Sequence, residues 1–258
     1  MKTSWIAYRK VKAQACLRVF CFPYAGSGAA IYRAWMKDLP ETIELCPVQL
    51  PGRETRALEL ACSRIGPLVE ALSDGLRPFL DLPYVFFGYS MGALIAFELA
   101  RALRKCAAPV PSHLFLAARR GPRILDPCPT GNLNNREFAR QLAVIGGTPK
   151  EILQNPDLLE LVLPTLRADF TLCENYAYLP DDPLDCPMTI CGGKEDAKTN
   201  QQALDAWGEE TRASCDVKWF EGDHFFIHSC QAALLQTILD VVSSNLLLAD
   251  RSASPSFV

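Results

Sequence analysis

The chain has 258 residues, of which 49% are hydrophobic and 21% charged, and its formal net charge is -3. This length suits one sizeable α/β domain, and the slight acidity argues against a nucleic-acid-binding surface. No run of about 18 uninterrupted apolar residues occurs, which argues against a membrane span. The amino-terminal segment lacks the apolar core of a signal peptide, so we expect a cytoplasmic protein.

Eleven cysteines are scattered along the chain, and none of them forms a C-x-x-C pair. This spacing counts against a zinc knuckle or a thioredoxin-like site. In a chain without a signal peptide, the thiols are expected to stay reduced. The sequence therefore predicts no metal site.

Short apolar runs alternate with longer helical patterns along the chain. The strand candidates, in order, are LRVFCFP, IELCPVQL, YVFFGYS, HLFLAA, PMTICGG and DVKWFEG. The helical patterns between and after them cover residues 64–80, 93–105, 199–210 and 231–247. This alternation predicts an α/β fold whose mostly parallel central sheet is flanked by helices. We place the domain at residues 15–248, with terminal extensions at 1–14 and 249–258.

One segment interrupts the alternation of strands and helices. Residues 134–178 carry a helical pattern broken by GGTP, by NPD and by a proline at Pro164, and contain no strand-like run. We interpret residues 130–180 as a helical insertion between two strands of the sheet.

A single serine stands between two glycines in the stretch FFGYSMGALIAFELA, residues 86–100. Its pattern is G-x-S-x-G, which chance produces in roughly one chain in ten of this length. A predicted strand precedes it and a predicted helix follows, which is the setting of a nucleophile elbow. We therefore predict that Ser90 is a nucleophile. The alternative is a glycine-rich turn with an idle serine.

A serine hydroxyl needs a base to react at neutral pH, and the chain has three histidines. In this architecture the partners follow the serine in the order acid, then histidine. His113 comes too early and is expected to be a surface or strand-end residue. His228 lies within an apolar helix start, where packing or capping is expected. His224 follows a strand and a turn, and it is the predicted base.

The predicted acid is Asp196, which follows the strand candidate PMTICGG. Glu195 is adjacent but has a longer side chain, and Asp169 falls within the helical insertion. The alternative role for Asp196 is a helix cap.

An oxyanion hole in this setting combines two backbone N–H groups. The first is predicted to come from Met91, directly after the serine. The second is predicted to come from the loop at residues 23–28, where Tyr24 and Ala25 both stay candidates.

Seven segments resemble the external, or type II, thioesterases of polyketide and nonribosomal peptide synthesis, a group that includes the vertebrate medium-chain acyl-carrier-protein thioesterase. The segments are FCFPYAGSGA, LPGRETR, FFGYSMGALIAFELAR, GGTPKEIL, LVLPTLRADF, NYAY and FEGDHFF. G-x-S-x-G is shared by many hydrolases, whereas GGTP, LPxLRAD and GDHFF are far more specific to this group. The sequence departs from the usual pattern at AGSG, PGRE and AARRGP, but no departure removes a catalytic group.

The resemblance implies an α/β-hydrolase fold in which the insertion forms a lid over the acyl site. It implies a catalytic triad of Ser90, Asp196 and His224. It also implies substrates tethered to the phosphopantetheine arm of an acyl or peptidyl carrier protein, and an enzyme without a cofactor of its own.

Some side chains are predicted to bind the substrate. Leucine and aromatic residues of the insertion, among them Leu142, Leu153 and Phe170, are predicted to line an acyl pocket. Arg119 and Arg120 are predicted to meet the phosphate of the carrier arm or an acidic carrier helix. The alternatives are ordinary helix packing and a solvated basic loop.

Two other functions stay open at this point. One is a carboxylesterase or lipase acting on oxygen esters, because a triad does not itself distinguish sulfur from oxygen. The other is a catalytically inactive interaction protein with the same fold. Nothing in the sequence demands an oligomer, so we expect a monomer.

Overall fold

The computed structural model describes residues 4–124, 130 and 133–253, and within 244–253 it describes the course of the helix alone. Within these described residues, six strands form one sheet in the order β2-β1-β3-β4-β5-β6, and all five pairings between them are parallel. They are β1 (Leu17–Phe22), β2 (Ile43–Pro47), β3 (Tyr84–Tyr89), β4 (Leu114–Ala117), β5 (Met188–Gly193) and β6 (Cys215–Phe220). The predicted α/β architecture with a parallel sheet is confirmed.

Eight α-helices accompany the sheet in the part of the chain that the structure describes. They are α1 (Ile65–Leu76), α2 (Met91–Lys105), α3 (Asn135–Ile145), α4 (Lys150–Gln154), α5 (Pro156–Glu174), α6 (Gln201–Asp205), α7 (Phe226–Ser229) and α8 (Gln231–Ala253). Helix α8 continues past residue 248, the predicted end of the domain. Residues 249–253 read ADRSA and contain no proline or glycine, so nothing in them stops the helix.

Helices cover both faces of the sheet because successive strand residues point to opposite sides. On one face, Phe86 of β3 packs into a core with side chains of α1 and α2. On the other face, Val85 and Phe87 pack into a second core that includes Leu235 of α8. Every residue of the four central strands β1, β3, β4 and β5 is buried. The sheet is therefore a rigid platform for the loops at its edge.

Helices α3, α4 and α5 form the insertion between β4 and β5. Asn134 begins α3 with a reciprocal capping box to Glu137, and together their side chains accept from three backbone N–H groups at the helix start. Helix α5 runs through Pro164, so the predicted break there is wrong. Leu163 and Leu166 on either side of this proline are buried in a small core with residues of α3, and this packing holds the helix together.

Two further observations concern the whole described chain. None of the ten cysteines among the described residues is in a disulfide. Within the same residues, no helix combines the length and the apolar character that crossing a bilayer requires.

Candidate active site

Ser90 occupies a strained turn between β3 and α2. Its backbone angles are φ 53° and ψ -111°, a conformation that side-chain-bearing residues adopt at a cost of about 1–3 kcal/mol. The Ser90 N–H donates to the carbonyl of Ala117 at 2.8 Å, which continues the sheet pairing to the turn itself. The hydroxyl is thereby held at the carboxyl edge of the sheet, beside the start of α2.

Both glycines of the motif are required by close contacts of the backbone. A Cβ atom at Gly88 would lie 2.3 Å from the carbonyl oxygen of Gly92. A Cβ atom at Gly92 would lie 2.1 Å from the carbonyl oxygen of Phe22, at the end of β1. Only hydrogen fits at these positions, so the turn packs directly against the loop that follows β1.

The structure brings Ser90, His224 and Asp196 together in series. Nε2 of His224 lies 3.1 Å from Oγ of Ser90, and Nδ1 of His224 lies 2.8 Å from Oδ2 of Asp196. The three residues follow the carboxyl ends of β3, β6 and β5, which is the edge where parallel sheets carry ligand sites. His224 is 134 positions from Ser90 and 28 positions from Asp196 in the sequence, yet the fold joins the three side chains by hydrogen bonds.

Asp196 is buried, and it keeps its charge. Burial raises the pKa of this carboxyl group, but the hydrogen bond and the charge of His224 outweigh burial and leave the pKa below its ordinary value. The N–H of Lys198 adds a further donor at 2.9 Å. A carboxylate can only accept hydrogen bonds, so Nδ1 of His224 carries the proton. Nε2 is then the nitrogen that can accept the proton of Ser90.

Tyr89 supports the loop that carries His224. Its hydroxyl donates to the carbonyl of His224 at 2.8 Å and accepts from the N–H of Ile227 at 3.1 Å. Burial raises the pKa of Tyr89 well above its ordinary value, so the hydroxyl stays a donor. Sequence reasoning missed this residue, and its place beside Ser90 in the motif was the only available signal.

Two backbone segments face the serine as candidate oxyanion donors. Met91 is the first residue of α2, so its N–H has no acceptor within the helix. In the loop after β1, the N–H of Gly26 is held by the carboxylate of Asp169 at 2.7 Å. Gly26 is therefore not a candidate, and Tyr24 and Ala25, which both line the cavity at Ser90, remain the candidate second donors.

A cavity of about 100 Å³ opens at Ser90 and His224. The insertion supplies much of its wall: Leu142 of α3, and Leu166 and Phe170 of α5. Polar groups also reach it, including Gln141, Arg119 and Lys198. Of the predicted substrate-binding residues, Leu142, Phe170 and Arg119 therefore lie in the cavity wall.

Two of the predicted substrate-binding residues, Leu153 and Arg120, do not line this cavity. Leu153 belongs to the short helix α4 and borders an open groove on the outer side of the insertion. Helical spacing shows that a side chain is buried against a neighbour, but not which neighbour. The guanidinium of Arg120 instead donates to the carbonyl of Lys198 at 2.9 Å and so ties two loops together.

The other two histidines have separate surroundings. Nε2 of His228 lies 3.0 Å from the hydroxyl of Tyr24, so it fastens the loop after β1. His113 is buried rather than exposed, because it precedes the central strand β4, and its Nε2 lies 2.9 Å from Oγ1 of Thr189. Burial lowers the pKa of His113 to about 4. His113 lies at the amino end of its strand, across the sheet from Ser90.

Among the residues that the structure describes, no group of three or more histidine, cysteine, aspartate or glutamate side chains is arranged to hold a metal ion. What the site offers chemically is a strained nucleophile, a base with an oriented tautomer and free backbone donors. These are the parts of acyl transfer.

Comparison with known proteins agrees with this arrangement. A family model described as a thioesterase domain matches residues 17–242. The gramicidin S biosynthesis protein GrsT of Aneurinibacillus migulanus is 39% identical over 235 residues, covering 90% of this chain and 91% of GrsT. The linear gramicidin dehydrogenase LgrE of Brevibacillus parabrevis is 42% identical over 246 residues, covering 94% of each chain.

A solved structure is similar along most of the chain. RedJ, a thioesterase from the prodiginine biosynthetic pathway in Streptomyces coelicolor, superposes with a TM-score of 0.83 at 35% identity, covering 88% of this chain and 91% of RedJ. The name of LgrE denotes a redox enzyme, whereas the family match, RedJ and the geometry at Ser90 all indicate a hydrolase.

Proposed function

This chain belongs to the thioesterase family and is a serine hydrolase with the α/β-hydrolase fold, and from that premise we propose how it acts. It releases acyl groups from carrier proteins through an acyl-enzyme on Ser90. The observation that carries the proposal is the hydrogen-bonded series Ser90–His224–Asp196 at the cavity.

The first half of the reaction acylates the enzyme. Nε2 of His224 takes the proton of Ser90 as its oxygen attacks the thioester carbonyl carbon. The carbonyl oxygen becomes an oxyanion, which the N–H of Met91 and one N–H from Tyr24 or Ala25 stabilise. The C–S bond then breaks, and the thiol leaves with the proton that His224 returns. Asp196 holds the imidazole in orientation and stabilises its charged form throughout.

The second half removes the acyl group. Water occupies the place of the departed thiol and loses a proton to Nε2 of His224 as it attacks the ester carbonyl. Collapse of the second oxyanion returns the proton to the oxygen of Ser90 and releases a carboxylic acid. Removal of stalled or aberrant groups and release of a finished chain use this same chemistry.

The substrate class rests on the relatives and on the cavity. GrsT is named for gramicidin S biosynthesis and RedJ for a prodiginine pathway, and we extend carrier-bound thioesters from such synthases to this chain. We assign the contact with the phosphate of a phosphopantetheine arm to Arg119, which lines the cavity wall. Oxygen esters are the second candidate, since the triad attacks either carbonyl.

One assay separates these functions. The same acyl group is offered as a carrier-protein thioester, as a coenzyme A thioester and as a p-nitrophenyl ester, with Ser90→Ala as the control. We expect the highest kcat/KM for the carrier thioester and loss of all three activities in the variant. Activity on the oxygen ester alone would favour an esterase. Absence of any activity would favour an interaction protein, and activity unchanged in the variant would overturn the mechanism.

A charge reversal tests the contact with the carrier arm. Arg119→Glu is expected to raise KM for the carrier thioester several-fold and to leave KM for a short free thioester unchanged, because only the first substrate carries the phosphate. Lys37→Glu is the matched control, since Lys37 is exposed and does not line the cavity. If Arg119→Glu raises KM equally for both substrates, Arg119 does not contact the phosphate of the carrier arm.

We also propose that the protein acts as a monomer in the cytoplasm. The triad, the candidate oxyanion donors and the cavity wall all come from one chain. The absence of disulfides among the ten described cysteines fits a reducing compartment. Sedimentation at assay concentrations checks the first point, and activity that appears only in a dimer would contradict it.

A further inference from the structure

A buried carboxylate connects the insertion to the loop beside Ser90. Asp169 lies in the last third of α5, and its side chain is only 2% exposed. Its two oxygens accept from Arg53 in a bidentate pair, at 2.6 Å to Nη1 and 2.7 Å to Nη2. Arg53, in the loop after β2, is itself buried. A charge this deep needs a partner, and a bidentate guanidinium also fixes the orientation of the carboxylate.

The same carboxylate holds the loop that carries the candidate oxyanion donors. Oδ2 of Asp169 accepts the N–H of Gly26 at 2.7 Å, and Arg53 donates to the carbonyl of Ser27 at 3.1 Å. Gly26 follows Tyr24 and Ala25 directly. It has a φ of +80°, and a Cβ atom there would lie 2.3 Å from Cδ2 of Leu166. The pair therefore fixes both the position and the backbone conformation of this loop.

Helix α5 also forms the wall of the cavity. Leu166 and Phe170, which flank Asp169 in the helix, both line the cavity at Ser90. One turn before Asp169, the hydroxyl of Thr165 donates to the carbonyl of Gly52 at 2.7 Å, which anchors the helix a second time to the loop of Arg53. Asp169 thus joins the surface that meets the acyl chain to the loop that meets the oxyanion.

We propose that Asp169 and Arg53 are positioning residues that set the oxyanion loop against Ser90 and couple it to the acyl-cavity wall. This inference rests on the proposed function, because it concerns the same acyl-transfer site. Neither residue touches the reacting atoms, and no proton moves through the pair. The Asp169–Arg53 pair places the N–H of Tyr24 or Ala25 beside the carbonyl oxygen on which negative charge develops. The pair therefore stabilises the transition state more than it strengthens substrate binding.

Asp169→Asn tests the proposal, because an amide keeps one acceptor oxygen but loses the charge and the paired geometry. We expect kcat for a short acyl thioester to fall about 100-fold, as for a displaced or lost oxyanion donor, with KM within about three-fold. A trifluoromethyl ketone with the same acyl chain forms an oxyanion adduct with Ser90. Its inhibition constant should rise by a factor similar to the loss in kcat.

Glu44→Gln is the matched control for a purely stabilising role. Glu44 forms a buried ion pair with Arg18 at 2.8 Å, near the amino ends of β1 and β2 and away from Ser90. This variant is expected to lose thermal stability with kcat and ketone affinity unchanged. If Asp169→Asn behaves in the same way, with normal kcat per folded molecule, the positioning role is wrong.

A second variant covers the case in which Asp169→Asn does not fold. Arg53→Lys keeps a cation beside the carboxylate but cannot make the bidentate pair, so we expect a smaller loss in kcat than in Asp169→Asn and a rise in the ketone inhibition constant that matches this smaller loss. Unchanged values for both would overturn the proposal. Failure of the proposed function has a different signature, namely wild-type activity that is absent or that survives in Ser90→Ala.

Discussion

Nδ1 of His224 lies 2.8 Å from Oδ2 of a buried, ionised Asp196, and this contact decides which nitrogen of the imidazole faces Ser90. The carboxylate can only accept, so it selects the tautomer that leaves Nε2 as a base. The same contact stabilises the imidazolium that forms when Ser90 attacks. The orientation of the His224 imidazole, its tautomer and the stability of its charged form therefore all depend on the side chain of Asp196.

Replacing Asp196 by asparagine should lower kcat about 10³- to 10⁴-fold, because an amide can stabilise the wrong tautomer and carries no charge. Steady-state kinetics with a short acyl thioester measure this loss, and thermal unfolding confirms that the variant is folded. Glu195→Gln is the control, since Glu195 is the exposed neighbouring carboxylate. A loss below ten-fold in Asp196→Asn would speak against the assignment of the acid.

The close packing of the elbow predicts a strong effect of Gly92→Ala. The new Cβ would meet the carbonyl oxygen of Phe22 at 2.1 Å, so the turn and the loop after β1 must separate. We expect loss of activity together with a lower melting temperature. Gly66→Ala is the control, because Gly66 is exposed in α1 with nothing near its Cβ position. Gly66→Ala should stabilise the protein by about 0.5–1 kcal/mol. Equal effects of Gly66→Ala and Gly92→Ala on activity and melting temperature would contradict the close packing of the elbow.

A bulkier side chain in the cavity wall should shorten the preferred acyl chain. Leu142→Phe adds volume at a buried position that lines the cavity, at a stability cost of about 1–3 kcal/mol. We expect kcat/KM to fall more for longer than for shorter thioesters in a chain-length series. Leu161→Phe is the control, because Leu161 is 75% exposed and lies outside the cavity. If Leu142→Phe lowers kcat/KM equally for all chain lengths, this wall does not determine the preferred acyl chain length.

Buried His113 predicts a loss of stability on acidification. Burial lowers its folded pKa to about 4, against an ordinary value of 6.5, so the unfolded chain binds the proton more readily. The stability it contributes is complete above pH 6.5 and is lost as the pH falls towards 4. The difference is on the order of 3 kcal/mol, from 1.4 kcal/mol per pKa unit.

His113→Gln removes this titration and can keep the hydrogen bond to Thr189. Denaturant unfolding of both proteins between pH 7 and pH 4 measures the difference. The free energy of unfolding should fall more steeply in the wild type than in the variant. Parallel curves would show that the folded pKa of His113 is not lowered.

The order of residues along the chain was enough to predict much of the site. Ser90, Asp196 and His224 each follow a strand-like run, and parallel strands bring their carboxyl ends to one edge. The strand candidates were readable because the central strands are buried on both faces and so consist almost entirely of apolar residues. These predictions depend on local pattern and chain order.

Other features depend on which surfaces meet, and a local pattern does not contain that information. Leu153 has the spacing of a packed helical residue but lies on the outer side of the insertion. The sequence disfavours Asp169 as the catalytic acid, because this residue falls within the helical insertion. Its partner Arg53 is 116 residues away. The signal that could have found the pair was the presence of both residues in segments that resemble the family, LPGRETR and LVLPTLRADF.

The central claim is that the acyl group passes through Ser90, and mass spectrometry of the trapped intermediate tests it most directly. The protein is mixed with a short acyl thioester, quenched in acid within one turnover, digested and sequenced. We predict the acyl mass on Ser90 in the wild type and no acylated peptide in Ser90→Ala. An acyl group found instead on the thiol of Cys173, which lines the same cavity, or turnover that persists in Ser90→Ala, would contradict the account.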